Sequence, residues 1–190
     1  ILYGTTATLK LVALDARTGE EKWRFDPFEG DGFKGFGRGV NRGLAYWSKG
    51  EEVRILFGAS SHLYSIDART GKPYHDFGTD GRVDLHDGLG EQYQELFVSA
   101  NTPGVVYQDL IIMGMRVNEG MGAAPGYIRA YHIKTGEIVW TFHTIPQPGE
   151  YGYDTWPEDA WKNMGGANAW GGFSLDQERG ILFAPTGSAS

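Results

Sequence analysis

The sequence predicts an all-β fold, and three observations support this prediction. Glycine supplies 29 of the 190 residues, about twice its usual share, and favours many tight turns. Aromatic residues make up 14% of the chain, and no segment has the 3.6-residue periodicity of a long amphipathic helix. A short hairpin motif also recurs three times along the chain, which indicates a repeat architecture.

The repeated motif is a short strand that ends in a Thr-Gly turn, with an aromatic or His residue eight positions after its Asp or His. Its copies occupy residues 13–19, 65–71 and 130–136, and the later positions are Trp23, His75 and Trp140. We predict that the aromatic side chains pack one sheet on the next. Asp15 and Asp67 are predicted to close the turns with their carboxylates.

A second type of hairpin alternates with the first, at residues 44–58, 105–114 and 172–184. Two hairpins per repeat give a four-stranded antiparallel blade, and such blades stack radially into a β-propeller. The sequence therefore predicts that residues 1–190 are part of one propeller domain, with about two complete blades, partial blades at each end and no second domain. Residues 143–168 break the pattern and are interpreted as a functional loop.

Composition excludes several classes of function. A formal charge of −7 and a pI near 5.2 leave no basic surface for nucleic acid. The absence of cysteine excludes disulfides and thiolate metal sites. Because the chain opens at Ile1 without a signal peptide, we interpret it as an excerpt, roughly a third, of a longer protein.

Two arginines lie in the Gly-rich segment 37–46. Arg38 and Arg42 are four residues apart, and they could clamp a polycarboxylate ligand through forked hydrogen bonds. A solvated surface turn explains the same spacing equally well, so the residue pattern leaves both interpretations open.

Two further segments carry candidate site residues. Asn118 and Glu119, in a Gly-rich loop, offer oxygen ligands for a hard cation such as calcium, although an exposed loop also accounts for them. Trp170 lies between small residues in segment 165–172 and could form a flat surface for a planar ligand or pack in a core.

These segments together resemble the pyrroloquinoline quinone (PQQ)-dependent dehydrogenases, the quinoprotein alcohol and glucose dehydrogenases. The sequence Val-Asn-Arg-Gly-Leu-Ala-Tyr at 40–46 is similar to the segment in which an arginine of the alcohol-type enzymes contacts a PQQ carboxylate. That arginine falls on Arg42, and the corresponding arginine of the glucose-type enzymes falls on Arg38. The resemblance implies an eight-bladed β-propeller of four-stranded antiparallel blades.

The resemblance also implies roles for other residues. Trp170 would form the floor under the quinone ring, and Glu119 with Asn118 would bind Ca²⁺. Asn101, Thr102 and Ser188 would contact the cofactor. The catalytic aspartate of the family would lie beyond Ser190, so no catalytic residue is assigned in this chain.

The implied function is oxidation of a sugar or alcohol hydroxyl, with electrons passed to a membrane quinone or a cytochrome c in the periplasm. One alternative is a non-enzymatic propeller similar to the lipoprotein scaffold of outer-membrane protein assembly. Another is a propeller that binds sugars or peptides through the aromatic segment 143–170 without redox chemistry.

Overall fold

The computed structural model describes residues 1–29 and 40–189. Its regular structure is almost entirely β-strand, which confirms the all-β prediction. Three short helical segments interrupt the strands, namely two 3₁₀ turns at Glu91–Tyr93 and Tyr153–Thr155 and one turn of α-helix, α1, at Ala160–Asn163. Within the described residues, no helix is long and apolar enough to cross a membrane.

The first sheet has three antiparallel strands in the order β1, β2, β3. They span Leu2–Thr5, Leu11–Leu14 and Glu21–Phe25. The alternation of buried and half-buried residues in β2 places Leu11 and Ala13 in the core, as expected for a strand with one covered face.

The second sheet has four antiparallel strands in sequence order. They are β4 (Ala45–Lys49), β5 (Glu52–Ala59), β6 (His62–Asp67) and β7 (Arg82–Asp84). Residues 54–59 of β5 and residues 63–66 of β6 are buried, so this sheet is covered on both faces.

The third sheet also has four antiparallel strands, in the order β13, β12, β10, β9. Two strands that flank β9 and β10 in the sequence, β8 and β11, pair with each other in a separate two-stranded sheet. The bounds of these strands are β8 Val98–Ser99, β9 Val105–Tyr107, β10 Leu110–Met113, β11 Arg116–Val117, β12 Ile128–His132 and β13 Ile138–Phe142. The last hairpin is β14 (Ser174–Asp176) with β15 (Ile181–Phe183).

The Thr-Gly turns adopt the predicted geometry. Gly19, Gly71 and Gly136 have φ values of 77°, 73° and 76°, which glycine adopts without steric cost. The carboxylates of Asp15 and Asp67 each accept two main-chain N–H groups of their turns, at 2.7–3.3 Å. Both aspartates therefore have the structural role that the sequence predicted.

The second copy of the motif departs from the expected hairpin. After Gly71 the chain forms only an isolated bridge between Pro73 and Ile66, and the fourth strand of the sheet is the later β7. Hydrogen bonds from Asp67 N–H to the carbonyl of Lys72 at 2.8 Å and from Tyr74 N–H to the carbonyl of Ser65 at 2.9 Å flank this bridge, so pairing with β6 extends over only a few residues before β7 takes the edge position.

Packing between sheets follows the prediction at Trp23. Its Nε1 donates to the carbonyl of Ala68 at 3.2 Å, and its ring covers Gly71, where a Cβ atom would lie 2.6 Å from Cε3. His75 is exposed and Trp140 is 37% exposed, so among the described residues only Trp23 shows the predicted docking of one repeat on the next.

The largest core fills the space between the second and third sheets. Leu56, Leu63, Ile111 and Tyr131 are almost inaccessible to solvent within it. Trp47 also crosses between these sheets, because its Nε1 donates to the carbonyl of Gln108 at 3.1 Å. Burial of this apolar surface fixes the two sheets relative to each other and so positions the loops at their ends.

Substitution of Gly71 by Ala tests the docking contact. We expect Gly71→Ala to lower the free energy of unfolding of the full-length protein by roughly 3 kcal/mol, from left-handed backbone strain and overlap with Trp23. The matched control is Gly19→Ala, because Gly19 has φ 77° but no atom within 4 Å of its Cβ position. This control should cost only about 1 kcal/mol; equal losses in urea denaturation would contradict a tight Trp23 contact.

Candidate functional site

The segment before β4 holds Arg42 in place through its main chain. Its N–H donates to the carbonyl of Asn101 at 2.9 Å. The preceding Asn41 donates from its side chain to the carbonyl of Gly58 at 2.9 Å, and its Oδ1 accepts from Gly43 N–H at 2.9 Å. Arg42 is therefore anchored to the end of β5 and to the segment after β8, while its side chain is exposed.

Asn101 and Thr102 form the second part of the site. Both are buried, and the hydroxyl of Thr102 donates to the main-chain carbonyl of Trp170 at 2.6 Å. The same Oγ1 lies 3.1 Å from Asn101 Oδ1. These contacts fasten the Trp170 segment to the residues that hold Arg42.

Trp170 contacts Arg42 directly. Arg42 Nη1 donates to the Trp170 carbonyl at 2.8 Å, and the guanidinium carbon lies 5.0 Å from the centroid of the indole ring. The indole is 40% exposed, so it is not a core tryptophan. The structure thus brings together two residues that are 128 positions apart in the chain.

Close packing behind Trp170 depends on Gly114. A Cβ atom at this position would lie 2.3 Å from the carbonyl oxygen of Ala169, which no side chain could tolerate. The buried Asn168 adds a hydrogen bond from Nδ2 to the carbonyl of Met115 at 3.0 Å. The end of β10 therefore sets the position of the Trp170 segment.

These groups surround a cavity of about 260 Å³. Its lining residues are Val40, Arg42, Asn101, Arg116, Glu119 and Trp170. Of the described residues in this lining, two carry guanidinium groups and one a carboxylate, which gives them a net positive charge in a protein whose formal charge is −7. Such a pocket favours an anionic ligand with a flat apolar surface.

The predicted site residues fall into three groups. Arg42, Asn101, Glu119 and Trp170 line the cavity, and Thr102 supports it from the buried side. Ser188 is exposed, and its main-chain carbonyl accepts a hydrogen bond from Ala167 N–H at 2.9 Å; it is not among the residues that line the cavity. Arg38 lies outside the described residues.

Asn118 and Glu119 are adjacent in the chain but line different cavities. Asn118 lines a separate cavity of about 520 Å³, with Ser60, His86 and Phe97 among its other walls. Here the ring nitrogens of His86 lie 2.7 Å from the Asp84 carboxylate and 2.9 Å from the Leu96 carbonyl. Burial opposes ionisation of Asp84, but hydrogen bonds from the His86 main chain and ring hold the pKa of this carboxyl below its usual range.

A metal site made by the protein alone does not emerge from the part of the chain that the structure describes. Residues 1–29 and 40–189 contain no group of three or more His, Cys, Asp or Glu side chains that could hold a metal ion. Among the described residues, Glu119 is the single carboxylate that lines the cavity.

Arg116 and Asn168 are the residues that sequence reasoning missed. Arg116 stands in the two-residue strand β11, opposite Ser99, and lines the cavity together with Asn101. Asn168 is 1% exposed and hydrogen-bonds across 53 positions. The Asn in the segment Gly-Gly-Ala-Asn-Ala-Trp was the one available signal, since a polar residue there requires a buried partner.

Comparison with known proteins identifies the family. The family of the glucose/ethanol/alcohol dehydrogenase β-propeller domain, denoted PQQ, matches residues 1–190. This chain belongs to that family. The likeness extends over the whole chain, and the PQQ propeller family accounts for the separate four-stranded sheets as parts of a propeller.

Individual relatives agree with this assignment. The chain is 29% identical over its whole length to quinohemoprotein alcohol dehydrogenase ADH IIB of Pseudomonas putida, and 27% identical over 96% of its length to quinoprotein glucose dehydrogenase A of Acinetobacter calcoaceticus. The crystal structure of quinohemoprotein alcohol dehydrogenase from Comamonas testosteroni superposes with a TM-score of 0.74, at 26% identity over 99% of this chain and 28% of that chain. The chain spans about a quarter of the length of these relatives.

Removal of the Thr102 hydroxyl tests the link to Trp170. Thr102→Val should destabilise the full-length protein by about 1 kcal/mol, because a buried hydrogen bond to the Trp170 carbonyl is lost while Arg42 still donates to the same atom. Thr102→Ser keeps the donor and is expected to stay within about 0.5 kcal/mol of the wild type. Equal unfolding free energies for the Val and Ser variants would show that the hydroxyl makes no effective bond.

Proposed function

We propose that the full-length protein oxidises a hydroxyl group of a sugar or alcohol, with PQQ bound in the cavity next to Trp170. The observation that supports this proposal is the convergence of Arg42 and Trp170 on one cavity with net positive charge. The alcohol, glucose and glycerol dehydrogenases among its relatives suggest the class of substrate.

The residues present fit a planar tricyclic acid. The half-exposed indole of Trp170 offers an aromatic face on which a flat ring can stack. Gly171 and Gly187 flank it, and a Cβ atom on Gly187 would lie 3.4 Å from Trp170 Nε1, so the absence of side chains there keeps the edge of the indole open. Arg42 can hold a carboxylate of the ligand through a forked, charge-assisted hydrogen bond.

Each part of the chain would then have a separate task. PQQ supplies the electron sink for oxidation of the hydroxyl-bearing carbon. Arg42 and Trp170 orient the cofactor, and Thr102 and Asn168 keep the Trp170 segment in place. We assign no base to this chain and propose that the rest of the protein provides it.

The proposal includes a calcium ion, with Glu119 as one of its ligands. A single carboxylate cannot complete the six to eight oxygen ligands that Ca²⁺ requires, so further oxygens would come from the cofactor and from outside the described residues. Asn118 is not part of this set, because it lines a different cavity.

The electron acceptor and the cellular location are also proposals. The quinohemoprotein and quinone-linked names of the relatives support a cytochrome c or a membrane quinone as acceptor. We propose a periplasmic location on the basis of the family resemblance. The excess of acidic residues argues against nucleic acid as a partner.

A non-enzymatic scaffold is the rival function. A scaffold needs the Thr-Gly repeat and the packing of sheets but has no use for a positively charged cavity beside an exposed indole. Reconstitution of the full-length protein with PQQ and calcium, followed by dye reduction with glucose, glycerol or ethanol, separates the two. The absence of both cofactor binding and dye reduction would favour the scaffold.

Replacement of Trp170 tests the stacking surface. Trp170→Ala should weaken binding of PQQ by the full-length protein about 30-fold, since roughly 2 kcal/mol of stacking and burial is lost. Trp170→Phe retains a flat ring and should lose less than about 5-fold. The measurement is equilibrium titration of the apoprotein with PQQ; equal affinity of the Ala variant and the wild type would exclude stacking on Trp170.

Neutralisation of Glu119 tests the calcium assignment. Glu119→Gln should raise the half-saturating calcium concentration for reconstitution by roughly 10-fold or more, because a charged ligand is replaced by a weaker neutral one. Glu178→Gln, a change of the same type at an exposed residue of the β14–β15 turn, provides the control. An unchanged calcium requirement for Glu119→Gln would remove this residue from the metal site.

A further inference from the structure

Arg116 is a charged residue of the cavity to which the proposed function so far gives no role. It lines the same cavity as Arg42 and Trp170, although the two arginines come from segments more than 70 residues apart. Because Arg116 lies in a strand of only two residues, the sequence pattern around it does not indicate that it lies near Arg42.

The backbone around Arg116 is held on both sides. Its strand β11 pairs with β8, with Arg116 opposite Ser99. The preceding Met115 is buried, and its carbonyl accepts the Asn168 side chain at 3.0 Å. A fixed backbone beside Asn101 and the Trp170 segment limits where the exposed Arg116 side chain can reach.

Among the described residues, no carboxylate forms an ion pair with the guanidinium group of Arg116. Other arginines of the chain, such as Arg24 and Arg179, form ion pairs with nearby acids. Within residues 1–29 and 40–189, Arg116 forms no ion pair, and its guanidinium carbon lies 5.6 Å from the centroid of the Phe97 ring. Arg42 also lacks an ion pair in this part of the chain and contacts the Trp170 carbonyl instead.

Two unpaired guanidinium groups facing one small cavity repel each other unless an anion lies between them or beside each. Glu119 can offset one positive charge of the pair, which leaves one uncompensated when the cavity is empty. A ligand with a single carboxylate can accept forked hydrogen bonds from one guanidinium group, whereas a ligand with two separated carboxylates can accept them from both.

We propose that Arg116 binds a second carboxylate of the ligand, so that Arg42 and Arg116 together select a planar acid with at least two separated carboxylates. This inference rests on the proposed function and specifies which part of the ligand the cavity recognises. Arg116 is thus a specificity-determining residue for the cofactor.

The test measures binding rather than turnover. The full-length apoprotein is titrated by calorimetry with PQQ and with its trimethyl ester, in which no carboxylate is charged. Wild-type protein should prefer the acid strongly. Arg116→Gln should weaken binding of the acid about 10- to 100-fold, the range for loss of one charge-assisted hydrogen bond, and should change binding of the ester by less than about 3-fold.

Two further variants complete the design. Arg42→Gln should give a loss of similar size, and the double variant should bind the acid more weakly than either single variant, because each arginine contacts its own carboxylate. Arg17→Gln removes the same charge from the exposed β2–β3 turn and should leave both affinities unchanged. Equal melting temperatures for the variants verify that each one folds.

The outcomes separate this inference from the proposed function. If Arg42→Gln weakens binding of the acid while Arg116→Gln leaves the preference for acid over ester intact, the role of Arg116 is wrong and the proposed function stands. If the wild-type protein binds neither PQQ nor its ester, both are wrong. A selective loss of acid binding in Arg116→Gln supports the two-carboxylate site.

Discussion

The main-chain carbonyl of Trp170 is the point on which the candidate site depends. It accepts hydrogen bonds from Arg42 Nη1 and from the hydroxyl of Thr102, residues that belong to two earlier parts of the chain. One acceptor atom thereby fixes the indole relative to the guanidinium group. Without this junction, the exposed indole would be free to move with its loop.

Packing of the sheets holds the segments that meet at the Trp170 carbonyl. The core between the second and third sheets fixes these sheets relative to each other, and Gly114 allows the segment before Trp170 to lie against the end of β10. The side chain of Asn168 adds a buried hydrogen bond across the same contact. Rigid strands thus place loop residues precisely enough to form a cavity, as is general for sites carried on loops.

The charges that line the cavity support the selectivity proposed for it. The protein as a whole is acidic, yet two arginines and one glutamate line this cavity. A local excess of positive charge in an acidic protein attracts a multiply charged anion more specifically than a generally basic surface does.

Much of the fold could be predicted because the repeats carry local information. The Thr-Gly turns need Asp carboxylates and a glycine with positive φ, and both requirements are visible in the residue types. The exception after Gly71 shows the limit of this reasoning: the turn formed as predicted, but the chain beyond it makes only an isolated bridge at Pro73, and β7 is the fourth strand of the sheet. Arg42 and Trp170 could be recognised from family resemblance, whereas their mutual contact could not be derived from spacing.

The sequence alone therefore determined the strand-and-turn repeat, the family resemblance and the candidates Arg42 and Trp170, because these depend on short-range patterns. Only the tertiary structure decided that Arg116 lines the cavity next to Trp170 and that Asn118 lines a different one. Neighbouring residues on a short strand or loop can face different cavities, and which cavity each one meets depends on packing against segments tens of residues away.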